Sequence, residues 1–370
     1  MATSVPLAGV ALTGGGGFLG WHIRAALRET GVDARLIAVG DGFDDEAASA
    51  SLDDVARVIH VAGVNRGTDD DVHEGNIGFA QQLAGAIRAA VNPPGAIVYA
   101  NSTQSDGDSN YGSAKRQGAE ILAHAAKDVG AEFTDVVLPN VFGEHGRPFY
   151  NSVTATFCHL LANGGEPQVV DDKQLDLIHA QNAADLLTGQ VGPSEYLSLQ
   201  KSETVSGLLD RLSTFAQLYR NGEIPDLSDP FDRDLFNTYR SYTFPAHAPI
   251  PLTRHADSRG SFFEIIRTRG GGGQSSFSTT KPGISRGDHF HRRKVERFTV
   301  LDGTAIISLR RLFADEVFEF EVAGADPVAV DMPTMWAHKI VNTGSDMLHT
   351  SFWTNDLFDL GKPDTIVEMV

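Results

Sequence analysis

Short apolar runs alternate with helical patterns over the first two thirds of the chain. The runs lie at residues 10–13, 35–39, 57–62, 96–100 and 133–138, and each ends at glycine, proline or polar residues. Such runs are typical of buried parallel strands, and apolar residues at helical spacing between them indicate crossover helices. A further strand is predicted at Val169–Val170, and amphipathic helices at 153–161 and 205–219. The pattern predicts a Rossmann-type α/β domain, a doubly wound parallel sheet.

The pattern changes after a proline-rich segment at residues 244–251. Short alternating runs then follow one another between glycine and aspartate turns, and almost no helical period remains. Strands are predicted at residues 276–279, 296–301, 305–312, 317–322, 328–332 and 348–353. Many short strands without helices are typical of a jelly-roll barrel. We therefore divide the chain into an α/β domain, residues 1–243, and an all-β domain, residues 244–370.

Composition narrows the classes of function. A length of 370 residues favours two domains, and the net charge is −18 without a basic stripe. That charge argues against nucleic acid and acidic membrane surfaces as partners, so an anionic substrate needs local donors. The single cysteine, Cys158, excludes an internal disulfide and fits a reducing compartment. With no signal-peptide pattern and no membrane-spanning apolar run, we expect a cytoplasmic protein.

A glycine-rich turn at residues 14–20 joins the first predicted strand to the first predicted helix. Glycines let a backbone approach a pyrophosphate, and the helix N-terminus supplies amide donors and positive potential. Several glycine spacings fit the run, among them Gly14-x-x-Gly17-x-x-Gly20. We predict that a nicotinamide dinucleotide binds here. The candidate contacts in this turn and after the third strand are Gly14, Gly17, Phe18, Leu19, Gly20, Ala62 and Gly63.

Asp41 follows the second predicted strand. At this position an acid binds the adenosine ribose hydroxyls and repels a 2′-phosphate, which favours NADH over NADPH. A solvated turn explains the residue equally well, because Asp-Gly is a turn pair and more acidic residues follow.

Tyr111 and Lys115 lie four residues apart on a predicted helix and therefore share one face. A nearby ammonium lowers the pKa of a phenol, which makes Tyr111 a proton donor or acceptor near neutral pH. Ser102, or Thr103 beside it, ends the fourth strand and is the candidate to hold the oxygen of a substrate carbonyl. The motif is common by chance in helices, but after a nucleotide-type glycine turn it indicates catalysis.

Polar residues that follow the strands are candidates for substrate contacts, since ligands bind at the carboxyl edge of such sheets. Arg66 is either a surface charge or an anion contact, and Asn151 either caps a helix or touches substrate. The candidates are Asn65, Arg66, Thr103, Asn140 and Asn151.

A candidate metal site lies in the second domain. His289 and His291 are two apart on a predicted strand and face the same side, Glu296 returns before a turn at Gly303, and His338 follows downstream. Three imidazoles and a carboxylate suit zinc, manganese, iron or nickel, and zinc is our first expectation. Two surface histidines near a hairpin are the plainer interpretation.

Together these motifs resemble two known families. The first domain resembles the extended short-chain dehydrogenase/reductases through its glycine spacing and Tyr111-x-x-x-Lys115, and the second resembles a cupin through its histidines and Glu296. Their order is similar to that of the bifunctional capsule-synthesis enzymes of the CapF/WbjC family. Further similar stretches lie at residues 60–66, 140–143, 150–158, 257–262, 281–284 and 355–358.

The resemblance implies two reactions on one substrate, a UDP-linked 4-keto-6-deoxy-hexosamine. The cupin would epimerise C3, and the reductase would then reduce C4 with NAD(P)H. The implied product is UDP-N-acetyl-6-deoxy-L-talosamine, on the route to UDP-N-acetyl-L-fucosamine for capsule or O-antigen. Cupin pairing implies a homodimer.

Three departures from the family keep alternatives open. The family is associated with NADPH, whereas Asp41 favours NADH. Arg292 stands where a third histidine is expected, and Met335 stands where the second cupin motif has a glycine. One alternative is a reductase whose cupin serves only folding and dimerisation. Another is a non-catalytic NAD-binding sensor, against which the pair Tyr111 and Lys115 speaks.

Overall fold

The computed structural model describes residues 9–370, which form two compact units. The first unit comprises the chain up to residue 142 with residues 146–152 and 174–203, and the second comprises 143–145, 153–173 and 204–370. Packing thus groups the helices between residues 204 and 243 with the second unit, while the domain boundary at residue 243 stays a prediction. Within the described range, no helix has both the length and the apolar character that crossing a bilayer requires.

The first unit is built on a five-stranded parallel sheet with the strand order β2-β1-β3-β4-β5. Successive side chains of a strand point to opposite faces, and here both faces are buried: Ala11 and Val58 join one apolar cluster, while Leu12 and Ile59 join the other. Burial on both faces explains why the three inner strands are largely apolar, whereas the two edge strands keep exposed polar residues. The strands are β1 (Val10–Thr13), β2 (Ala34–Ile37), β3 (Arg57–His60), β4 (Ala96–Ser102) and β5 (Glu132–Leu138).

Helices and a smaller sheet complete this unit. Thr68 and Asp71 form a reciprocal capping box at the start of α3, and Gly130 ends α4 in the left-handed conformation. The helices are α1 (Phe18–Glu29), α2 (Asp45–Leu52), α3 (Asp69–Ala89), α4 (Asn110–Val129), α6 (Ala180–Thr188) and α7 (Pro193–Ser198). The smaller sheet contains β6 (Asn140–Phe142), β7 (Gln174–His179) and β8 (Lys201–Thr204). The strand expected at Val169–Val170 is wrong: those residues are irregular, and Val170 is exposed.

The second unit contains three helices and the β region. The helices are α5 (Val153–Ala162), α8 (Val205–Arg220) and α9 (Pro230–Thr243). One five-stranded sheet has the order β10-β19-β16-β21-β14, and the other has the order β18-β17-β20-β15-β22. The strands are β9 (Glu223–Ile224), β10 (Ile250–Pro251), β11 (Arg254–Asp257), β12 (Gly260–Phe263), β13 (Arg267–Thr268), β14 (Gln274–Thr280), β15 (Ser285–Phe290), β16 (Glu296–Asp302), β17 (Thr304–Arg311), β18 (Val317–Ala323), β19 (Val328–Met332), β20 (Trp336–Asn342), β21 (Leu348–Thr354) and β22 (Ile366–Val367).

The two five-stranded sheets face each other across one apolar core. Phe298 and Val330 reach it from the first sheet, and Ile307, Leu309 and Ile340 reach it from the second. All strand pairs within these two sheets are antiparallel. The predicted fold class, a doubly wound α/β domain followed by an all-β jelly-roll, is confirmed.

Candidate active site and metal centre

The glycine turn of the first unit is shaped by two close backbone approaches. Gly14 has φ +72°, and a Cβ there would lie 2.7 Å from the backbone nitrogen of Ala62. A Cβ at Gly20 would lie 2.1 Å from the carbonyl oxygen of Gly14. Only glycine fits these positions, so the turn can bring its own backbone and the start of α1, with Phe18 and Leu19, against a bound pyrophosphate.

A buried pair of polar side chains, Thr13 and His60, lies next to the glycine turn. Thr13 Oγ1 and His60 Nδ1 share a 2.6 Å hydrogen bond, and the backbone N–H of Ala62 donates to the same oxygen at 3.4 Å. Burial lowers the pKa of His60 to about 3, so its ring is neutral. The β3 loop around Gly63 is fixed further by Asn76, whose side-chain amide donates to the carbonyl of Val64. Sequence reasoning missed Thr13 and Asn76, because no motif marks them.

Asp41 lies beyond the end of β2 in a short 3-10 helix, Gly40–Gly42. The side-chain amide of Gln82 bonds both backbone groups of Gly40, at 2.7 and 3.3 Å. The carboxylate of Asp41 is exposed. It lies beyond the carboxyl end of β2, the strand paired with β1, and its role in binding ribose stays a prediction.

Tyr111 and Lys115 lie in the first turns of α4. A Cβ at Gly112 would lie 2.1 Å from the carbonyl oxygen of Gln104, so α4 packs tightly on the polar loop after β4. Lys115 Nζ donates to the carbonyl of Ala100 at 2.6 Å, and burial lowers the pKa of Lys115 to about 7. Burial raises the pKa of the Tyr111 phenol. The expected lowering of that pKa by Lys115 is therefore wrong, because desolvation dominates.

Ser102 ends β4, and its hydroxyl accepts a hydrogen bond from the backbone N–H of Gln104 at 3.2 Å. The side chain thus caps the 3-10 helix Thr103–Asp106, and Thr103 is exposed. Both residues stay candidates for holding a carbonyl oxygen.

The structure brings three of the predicted substrate residues together. Arg66 Nε donates to Asn151 Oδ1 at 3.1 Å, and Asn151 Nδ2 donates to the carbonyl of Asn65 at 3.0 Å. The guanidinium groups of Arg66 and Arg147 both lie over the ring of Tyr150, 5.1 and 4.9 Å from its centre. This basic cluster includes Tyr150 and Arg147, which the sequence had not indicated.

Asn140 lies on β6, apart from the hydrogen bonds that join Asn65, Arg66 and Asn151. Its side-chain amide donates to the carbonyl of Asp176 on the neighbouring strand at 3.1 Å. That contact joins two strands, which is a structural role for the residue, and its substrate role stays a prediction.

The predicted metal ligands come together in the second unit. His289 on β15 and His338 on β20 are direct cross-strand partners, while His291 follows β15 and Glu296 begins β16. One potential ligand atom from each residue lies within 4.8 Å of the others. His291, Glu296 and His338 are buried and His289 is half-buried, so the cluster is largely screened from water.

The hydrogen bonds of two imidazoles fit a bound cation. The Nδ1 atoms of His291 and His338 bond the carbonyls of Asp364 and Trp336, and since a carbonyl only accepts, each Nδ1 carries a proton. The opposite Nε2 atoms then lie 3.0 and 3.2 Å from Glu296 Oε2. Each Nε2 then points its lone pair at the carboxylate oxygen of Glu296. A nitrogen lone pair and a carboxylate oxygen repel each other unless a proton or a metal cation lies between them. The donor set therefore fits a divalent metal.

The pKa shifts of His289, His291 and Glu296 describe the charge of the cluster. Burial alone would lower the pKa of His291, but the Glu296 carboxylate raises it overall. Burial alone would raise the pKa of Glu296, and His291 with His338 holds it well below its usual range. Burial, with the neighbouring histidines, lowers the pKa of His289 to about 4. The cluster thus keeps a buried carboxylate charge, which either a protonated imidazole or a bound cation can neutralise.

Two unusual backbone conformations shape this centre. A Cβ at Gly287, φ +115°, would lie 2.5 Å from the carbonyl oxygen of His338, and a bulge between Gly287 and His289 sets the register of the ligands. Met335 has φ +61°, and its N–H donates to the carbonyl of His291 at 2.7 Å. This position favours glycine, which explains the glycine of the cupin pattern. Arg292, in place of the expected third histidine, is fully buried.

Comparisons with known proteins match two families in succession along the chain. Residues 10–189 match the NAD dependent epimerase/dehydratase family, and residues 255–366 match the polysaccharide biosynthesis C-terminal domain. The chain is 30% identical to the UDP-2-acetamido-2,6-beta-L-arabino-hexul-4-ose reductase of Pseudomonas aeruginosa over 96% of this chain and 97% of that protein.

The chain is also similar to two solved structures. The chain is similar to the capsular polysaccharide assembling protein CapF from Staphylococcus aureus, with 31% identity, a TM-score of 0.61, and coverage of 98% of this chain and 100% of that one. It also shares a fold with a UDP-N-acetylglucosamine 4-epimerase from Methanobrevibacter ruminantium, with 18% identity, a TM-score of 0.51, and coverage of 64% and 99%.

Proposed function

The chain belongs to the CapF-like family of enzymes, and on this premise we propose that it reduces a UDP-linked keto sugar with a nicotinamide cofactor. One observation carries the proposal. The first unit contains both a turn in which Gly14 and Gly20 leave no room for a side chain and the residues Tyr111 and Lys115 on α4. The reductase activity named for the Pseudomonas relative supports it. The substrate we propose is a UDP-linked 4-keto-6-deoxy-hexosamine.

Tyr111 is the proposed proton donor of the reduction. When bound, the nicotinamide supplies the hydride that adds to C4 of the keto sugar. Hydride addition turns the C4 oxygen into an alkoxide, which takes the phenolic proton of Tyr111. Because burial raises its pKa, the phenol is protonated at neutral pH and ready to donate. Lys115, one helical turn away, has its pKa lowered to about 7 by burial, and its ammonium form stabilises the phenolate that results.

We further propose that the second unit epimerises C3 of the same substrate before the reduction. The C4 ketone acidifies the C3 proton, and its removal followed by return on the opposite face inverts that carbon. When held by His289, His291, Glu296 and His338, a divalent cation supplies positive charge that stabilises an enolate. The ketone survives this step and becomes the hydride acceptor. The product is then UDP-N-acetyl-6-deoxy-L-talosamine, for capsule or O-antigen synthesis.

The cofactor, metal and assembly follow as parts of the same proposal. The exposed carboxylate of Asp41 supports NADH over NADPH, because it repels a 2′-phosphate. Three imidazoles with one carboxylate support zinc. The homodimer and the cytoplasmic location stay predictions.

The proposal is tested with an enzymatically made UDP-4-keto-6-deoxy-hexosamine. NADH and NADPH absorbance are followed in parallel, and solvent deuterium at C3 is measured without any nicotinamide. We expect NADH oxidation in the first assay and deuterium at C3 in the second. Oxidation without deuterium would support the alternative of a reductase with a structural cupin, which the buried Arg292 keeps open. No reaction in either assay would overturn the enzymatic assignment in favour of a sensor.

A further inference from the structure

The last residues of the chain lie along β15, the strand that carries the proposed metal ligand His289. In β22, Val367 and Ile366 pair antiparallel with His289 and Phe290 of β15. The N–H of Glu368 donates to the carbonyl of Asp288 at 3.0 Å, which continues the ladder. The C-terminal tail is therefore hydrogen-bonded to the backbone of the metal centre.

Asp364, just before β22, binds the loop between two ligands. Its carboxylate accepts the backbone N–H groups of three consecutive residues: Arg292 at 2.8 Å, Arg293 at 2.9 Å and Lys294 at 2.8 Å. These residues separate His291 from Glu296. Three donors converging on one carboxylate form strong charge-assisted bonds, and they fix the path of the chain between the two ligands.

The backbone of Asp364 also orients a ligand. Its carbonyl accepts the Nδ1 proton of His291, which turns the Nε2 atom of that ring toward Glu296. The ammonium of Lys294 donates to the carbonyl of Pro363 at 2.7 Å, so both the backbone and a side chain of the loop donate hydrogen bonds to the tail. Asp364 adopts φ +42° to make these contacts at once. Aspartate and asparagine tolerate this conformation better than most residues.

We infer that Asp364 is a positioning residue of the metal centre, which holds the loop at 292–294 and the ring of His291 in the geometry that binds the cation. The inference rests on the proposed metal site. It makes the C-terminal tail a working part of that site, although the tail contributes no ligand. Loss of the carboxylate frees three amides and lets the spacing between His291 and Glu296 vary, which weakens metal binding.

The test compares Asp364→Asn with Asp359→Asn. Asparagine keeps the size and the left-handed preference of Asp364 but removes the charge that accepts three donors. Asp359 lies in the same tail and bonds only the N–H of Gly361 among the contacts found for its side chain, so it is a matched control. Zinc affinity is measured by competition with a chromophoric chelator, and ligand geometry by the visible spectrum of the cobalt-substituted protein. We expect affinity to fall about tenfold or more in Asp364→Asn only, with a changed cobalt spectrum.

Wild-type affinity and an unchanged spectrum in Asp364→Asn would overturn the inference while leaving the metal site intact. If His338→Ala binds zinc as tightly as the wild type, the metal centre itself is wrong, and the inference is overturned with it. Should Asp364→Asn fail to fold, hydrogen exchange in the wild type decides. Slow exchange of the amides at 292–294 supports their hydrogen bonds to Asp364, and exchange as fast as in exposed loops overturns the inference.

Discussion

The ammonium of Lys115 lies over the ring of Tyr99, with Nζ 4.3 Å from the ring centre. The same ring stacks on that of His60, with 5.6 Å between the ring centroids. Tyr99 and the Ala100 carbonyl that accepts from Nζ are both on β4, so an interior strand of the sheet holds the side chain that Lys115 extends from α4. The sheet thus sets the position of Lys115, while the motif sets its distance along α4 from Tyr111.

Burial of Lys115 predicts a pH dependence of stability. Its pKa is lowered to about 7 in the folded protein, against an ordinary value of 10.5. Between these values the unfolded chain binds more protons, so this residue adds stability as pH rises from about 7 toward 10. The melting temperature of Lys115→Met, minus that of the wild type, should therefore decrease over this range. Lys127→Met, at an exposed position of α4, serves as the control and should show no such trend.

Tyr111→Phe should lower kcat for NADH oxidation by about 10²- to 10⁴-fold, because the alkoxide loses its proton donor. NADH binding, followed by fluorescence titration, should change little. Tyr196→Phe removes a buried hydroxyl of the same unit and should keep the wild-type rate. Full activity of Tyr111→Phe would remove the residue from the mechanism.

Asp41→Asn should weaken the discrimination against NADPH. One negative charge near a 2′-phosphate is worth about 1 kcal/mol in water, so the ratio of kcat/KM for NADH to that for NADPH should fall about fivefold. Asp45→Asn, at the exposed start of α2, should leave the ratio unchanged. Equal ratios for both variants and the wild type would favour the solvated-turn interpretation of Asp41.

Gly14→Ala should destabilise the first unit by about 2 kcal/mol or more. The new Cβ meets the backbone of Ala62 at 2.7 Å, and a positive φ adds strain. Gly16→Ala is the matched control, since a Cβ at Gly16 finds no atom within 4 Å among the described residues. Calorimetry should show a clear fall in melting temperature for the first variant and almost none for the second. Equal melting temperatures would contradict the close approach of the turn to Ala62.

Metal removal should separate the two proposed reactions. Dialysis against a strong chelator should abolish solvent deuterium incorporation at C3, because the enolate loses its positive partner. Reduction of an already epimerised keto sugar should continue, since Tyr111 and Lys115 are in the other unit. His338→Ala should reproduce the effect, and His255→Ala, which alters an exposed histidine outside the cluster, should not. Deuterium incorporation at the wild-type rate after complete metal removal would contradict a metal-dependent epimerase.

The fold class could be predicted, and the candidate residues could be proposed, because their signals are local. Both faces of the parallel sheet are buried at its inner strands, which makes β1, β3 and β4 largely apolar. The glycines at 14–20 act within one turn, and Tyr111 and Lys115 act on one helix face. His289 and His291 are on one ribbon whose alternation sets their direction. Such geometry follows from chain distances of a few residues.

Tertiary structure alone decided the rest, because register, burial and long-range hydrogen bonds depend on packing. His338 meets His289 only through the pairing of β15 with β20, and Asp364 reaches the loop at 292–294 from the far end of the chain. The raised pKa of Tyr111 is the same kind of result: the motif predicted an effect of charge, and desolvation reversed it. The sequence by itself determined the fold class and the candidate residues, and the fold determined their burial and what holds them in place.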